Sequence, residues 1–111
     1  MTAVSASDLN EMVKAIVEEV DPERVYLFGS HAAGTADSRS DIDLLVVERE
    51  PFGPTRSRRL EMARLWRLLA RFRVPKDILV FTVDEVERWR GARNHVVAQA
   101  MRDGRLLYER S

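Results

Sequence analysis

Apolar segments of two different periods alternate along this chain, and that alternation is what most narrows its fold. Leu9, Met12, Val13, Ile16, Val17 and Val20 recur at helical spacing and form one apolar stripe. Ser5, with Asp8 three residues later, resembles a capping box. Asp21-Pro22 ends that helix, because proline disfavours the helical conformation at the residue before it. Arg24-Val25-Tyr26-Leu27-Phe28 then reads as a short buried strand, broken by Gly29-Ser30. The small, polar stretch from His31 to Ser40 reads as a loop with room for one helical turn. Asp41-Ile42-Asp43-Leu44-Leu45-Val46-Val47 is a second strand, rich in branched apolar residues. Pro51-Phe52-Gly53-Pro54 is a turn.

The second half repeats the theme. The pattern predicts a long helix over about 55–72, with Met62, Leu65, Trp66, Leu68, Leu69 and Phe72 on one side. Arg56, Arg64, Arg67 and Arg71 fall on the other, as a solvated face or a docking surface for RNA or an acidic protein. Pro75 closes the segment, and Lys76 to Phe81 is a third strand. Thr82 or Asp84 caps a short helix through Trp89. A further helix runs from Ala92 to Asp103 and ends at Gly104, with His95 inside it. Arg105 to Tyr108 is the last strand. Trp66 and Trp89 read as core or edge packing. Such alternation predicts an α/β (α+β) fold: a small mixed β-sheet with helices packed against it. With no repeat, low-complexity region or linker, residues 1–111 are expected to form a single domain.

Composition bounds the function. A chain of 111 residues closes one core but buries a modest share of its surface, so an open cleft is expected rather than a deep enclosed site. No apolar run is long enough to span a bilayer, the N-terminus lacks the regions of a signal peptide, and there is no cysteine. A cytoplasmic location is expected. The formal net charge of zero argues against bulk electrostatic binding to nucleic acid, which stays open without being favoured.

The chemistry concentrates in Phe28-Gly29-Ser30, ten residues, then Asp41-Ile42-Asp43. Side chains alternate faces along a strand, so Asp41 and Asp43 share one side, and Ile42, Leu44 and Val46 the other. Two neighbouring carboxylates repel unless a cation sits between them, and magnesium takes one or two carboxylates together with substrate phosphates. A bare Asp-x-Asp is more often a solvated strand end. Glycine directly after a strand, however, lets the backbone approach a ligand, and amides exposed at such a turn favour anionic oxygens. There is no Gly-x-x-x-x-Gly-Lys, so this is not a P-loop. Asp77 is the candidate third carboxylate, provided its strand lies beside that of Asp41 and Asp43; a salt bridge to Lys76 is the plain alternative.

The stretch from Val25 to Ser30, followed by Ser40 to Val46, resembles the signature of the polymerase-β-like nucleotidyltransferases. It most resembles the minimal nucleotidyltransferases, the antitoxin-type partners of HEPN-domain proteins. The leading amphipathic helix, Asp77 at a strand start and the tail Asp103 to Glu109 are also similar, so the resemblance covers nearly the whole chain. The resemblance implies a polymerase-β-like fold and a transferase moving a nucleoside monophosphate, AMP from ATP, onto a hydroxyl. It implies that Asp41, Asp43 and Asp77 are catalytic and hold two Mg2+ ions. Gly29 and Ser30 would hold the β- and γ-phosphates. Many members carry arginine directly after the Gly-Ser, where this chain has His31, so the phosphate contact expected there is either weaker or supplied by Arg39, and Ser40 completes the nucleotide-binding set. By the same resemblance the acceptor is a tyrosine of a HEPN toxin, which AMP addition silences. The rival readings are a non-catalytic module that neutralises the partner by occlusion, and a lone nucleotide-binding regulator. Homodimer and hetero-oligomer both stay open.

Overall fold

A computed structural model describes residues 6–34 and 41–111. The elements in order are α1 (Ala6–Val20), β1 (Arg24–Phe28), α2 (Ser30–Ala33), β2 (Ile42–Glu48), α3 (Arg58–Leu68), β3 (Lys76–Thr82), α4 (Val83–Trp89), α5 (Val96–Asp103) and β4 (Arg105–Glu109). The strands form one mixed sheet in the order β3-β2-β1-β4. β1 runs antiparallel to both β2 and β4, with an irregularity in the β4 pairing between Val25 and Tyr26. β2 and β3 are parallel, from Ile42 opposite Lys76 to Glu48 opposite Thr82. A parallel pair needs a crossover, and α3 supplies it. This is the mixed sheet with packed helices that the alternation predicts.

Period-two alternation sorts the sheet's side chains into two cores. Val25, Leu27, Ile42, Leu44, Val46, Ile78 and Val80 pack against Leu9, Met12 and Ile16 of α1 and against Leu65 and Leu69 at α3. Phe28, Leu45 and Val47 pack on the other face with Val86 of α4 and Val97 and Ala100 of α5. β2 is therefore buried on both faces beyond its first residues, which explains its run of branched apolar side chains.

Several boundaries depart from the sequence expectation. The helix expected over 55–72 spans Arg58–Leu68. Gly53 and Arg56 exchange backbone hydrogen bonds of 2.9 and 3.1 Å, which closes a tight turn and delays the helix to Ser57, whose hydroxyl accepts from the Leu60 N–H. Arg56 thus lies ahead of α3, and Trp66 is 43% exposed instead of joining the apolar side. The helix expected from Ala92 begins at Val96 because His95 is its N-cap: Nδ1 accepts from the Val97 N–H at 3.1 Å. The His95 ring also stacks on Trp89, with centroids 4.5 Å apart. Thr82, not Asp84, caps α4, in a reciprocal box with Glu85. Ser5, half of the box proposed for α1, lies outside the described residues. No helix among the described residues is long and apolar enough to cross a membrane.

Candidate active site

The site forms where the two parallel strands begin. Asp43 is the second residue of β2, Asp77 the second of β3, and the two are register partners. Adjacent strands lie about 4.8 Å apart, so their side chains stand side by side on one face. That face is the one covered by α4 and α5, helices of only seven and eight residues. The start of the strands is left open: Asp43 is half-buried, and Asp41 and Asp77 are exposed. The register sets Asp43 beside Asp77, and Asp41 immediately precedes β2. Lys76 does not neutralise Asp77; its Nζ donates to the carbonyls of Phe72 and Val74 at 2.9 and 3.1 Å.

The end of β1 forms the adjoining wall. Phe28 is the register partner of Asp43, and Gly29 follows with φ +75°. A Cβ built on Gly29 would lie 2.2 Å from Oδ2 of Asp43, closer than atoms can approach. Glycine is thus needed twice, for the backbone angle and for the space the carboxylate fills. Ser30 opens the single turn of α2, the one turn the loop was expected to hold. Arg39 and Ser40, the other nucleotide-binding candidates, lie outside the described residues.

Burial raises the Asp43 carboxyl above its ordinary value, and the charges of Asp77 and Asp41 raise it further, while His31 pulls it down. Like charges held close together raise a carboxyl in this way. Among the described residues no three carboxylate or imidazole groups close in far enough to cage an ion by themselves. Magnesium does not require such a cage, since it keeps waters and completes its shell with phosphate oxygens. An open set of hard oxygen donors beside a bare glycine backbone fits a metal that arrives with a nucleotide. Glu48 and Glu85 are not part of this carboxylate group. Glu48 ends β2, and Glu85 pairs with Arg58.

The family model for polymerase beta nucleotidyltransferases matches residues 10–111. The chain belongs to that family. Solved structures agree on the fold of this nucleotidyltransferase. A protein from Sulfolobus solfataricus assigned as a nucleotidyltransferase superposes with a TM-score of 0.66 at 25% identity, covering 94% of this chain and 79% of that one. A toxin–antitoxin structure with AMP-PNP gives 0.57 at 21% identity over 92% and 74% of the two chains. A complex of tri-AMPylated Shewanella oneidensis HEPN toxin with its MNT antitoxin gives 0.60 at 18% identity over 94% and 71%. No curated protein matches the sequence.

Proposed function

We propose that this single-domain chain is a magnesium-dependent nucleotidyltransferase that moves AMP from ATP onto a tyrosine hydroxyl of a HEPN-domain toxin and so acts as its antitoxin. The observation that carries the reading is the register pairing of Asp43 with Asp77, with Asp41 beside them and Gly29 against the Asp43 carboxylate. Asp41, Asp43 and Asp77 would hold two magnesium ions, which when bound stabilise the attacking and leaving oxygens of an in-line displacement. Gly29 keeps Asp43 in place, and its backbone, with Ser30, Arg39 and Ser40, grips the phosphates. The acceptor oxygen bonds to the α-phosphorus, the bond from that phosphorus to the bridging oxygen breaks, and pyrophosphate leaves. Asp77, exposed at the edge of the trio, takes the hydroxyl proton.

Two structures of the same fold support the choice of partner and donor. One holds AMP-PNP, and another pairs an MNT antitoxin with an AMPylated HEPN toxin. The absence of a cysteine and of a membrane-crossing helix among the described residues accords with a cytoplasmic site of action.

A transfer assay tests the reading. The protein is incubated with magnesium, each α-labelled nucleoside triphosphate and a HEPN partner, beside Asp41→Asn/Asp43→Asn. Label from ATP should reach the partner and vanish with the double variant. Asp77→Asn should slow transfer by roughly 10²–10⁴-fold, the usual worth of a positioned base. Neutralisation of the partner by the double variant as by the wild type would replace the enzyme with an occluding module.

A further inference from the structure

The two helices on the far side of the sheet from the aspartates carry opposite charge. α1 holds four acidic residues and one lysine, and α3 four arginines and one glutamate. Both pack on the core that contains Leu9, Met12, Ile16, Leu65 and Leu69. Arg64 fastens one helix to the other, with Nη2 2.7 Å from the Glu19 carboxylate and 3.0 Å from the Glu19 carbonyl. Arg58 is engaged by Glu85 of α4.

The charges left on the outside have no answer within the chain. Glu11 and Glu18 of α1 and Arg59 and Arg67 of α3 are exposed, and none of the four has an ion pair among the described residues. Each couple spans about two helical turns, roughly 10–12 Å along its axis. Between the arginines lie Ala63 and two large apolar side chains, Leu60 at 70% exposure and Trp66 at 43%. Leu60 is the most exposed large apolar residue described. Arginine and tryptophan beside an apolar centre are the composition of a protein interface. A nucleic-acid strand fits this layer less well, because half of it is acidic.

We propose that a second copy of this chain docks on this helical layer. A two-fold axis along the groove between α1 and α3 sets α1 of each copy over α3 of the other. Glu11 and Glu18 then face Arg59 and Arg67 twice over, once on each side of the axis. An axis across the helices lays acid on acid and base on base, which repels. Leu60 and Trp66 leave water, and the stem of Lys14, between the two glutamates, lies on their apolar surface. With α1 about 22 Å long and α3 about 16 Å, the layer presents on the order of 500 Å² per copy, the size of a transient interface. The dimer is therefore weak and sensitive to salt. Both aspartate faces stay directed outward, and the pairing does not depend on the transferase reading.

Sedimentation velocity of the full chain, from about 10 μM to 1 mM, tests this. At low salt the mass should rise from monomer to dimer, and high salt should return it to monomer. Leu60→Ser should weaken the dimer several-fold. Arg59→Glu/Arg67→Glu and Glu11→Arg/Glu18→Arg should each stay monomeric with a native circular-dichroism spectrum. The chain with all four reversals keeps the net charge of the wild type and should dimerise again. A wild type that is monomeric at every concentration overturns the proposal. So does a dimer that either pair of reversals leaves intact, or a fourfold variant that folds and stays monomeric. Labelled single-stranded RNA, or a HEPN-domain protein, that binds a monomeric wild type and is lost with Arg59→Glu/Arg67→Glu would give the face to that occupant and overturn it equally.

Discussion

Gly29 and Asp43 occupy one space. The carboxylate fills the volume where any other residue would carry its Cβ, at a backbone φ of +75°. Gly29→Ala should therefore cost at least about 1 kcal/mol of stability through the angle alone. It should also cost transfer activity, because Asp43 must move. Melting curves, with rates measured well below the midpoint, separate the two effects; wild-type values for both would refute the packing argument. These residues were legible in the sequence for a physical reason. Strand alternation places Asp41 with Asp43, and a glycine breaking a strand announces a backbone that something must approach. Arg56 was not legible. As a sequence it belongs to an arginine-studded helix face, and only the turn closed by Gly53 and Arg56 removes it from the helix and turns it onto Glu48. A glutamate at a strand end ordinarily meets water, so nothing local marks Glu48 as buried.

Elements were read well where one strong stop stands at the end, and poorly where several weak ones compete. Pro22 ends α1 cleanly, and Pro75 delivers β3. The start of α3 has Thr55, Ser57 and a proline-glycine turn within a few residues, and tertiary geometry chooses Ser57. At α4 the choice between Thr82 and Asp84 is settled by the reciprocal bond with Glu85. Thr82→Ala should lower stability by about 1 kcal/mol, the usual worth of an N-cap. Asp84→Ala should cost markedly less, and the reverse order in denaturant titrations would return the cap to Asp84. Within β2, Leu44 is fully buried between β1 and β3. Leu44→Ala should destabilise by about 2–5 kcal/mol, read as a shift of the denaturation midpoint; a change under about 1 kcal/mol would mean that this core can collapse around the void.

For the molecule as a whole, the buried Glu48 ties stability to pH. Its folded-state carboxyl lies at about 8, above the ordinary 4.5, so the native chain keeps a proton that the unfolded chain gives up. Stability from this group is complete below about 4.5 and drains away as pH rises through about 8. Melting temperature should fall between roughly pH 5 and 9, and Glu48→Gln should flatten that fall. An unchanged slope in the variant would shift the cause elsewhere. The sheet topology carries a consequence of another kind. β1 and β2 can zip together as soon as both have left the ribosome, but β3 must wait for α3 to cross over the sheet before it can lie parallel to β2. Asp43 and Asp77 are strangers until that crossover docks, so a half-folded chain keeps the two aspartates apart. On the proposed reading, competence to transfer waits on the docking of that crossover.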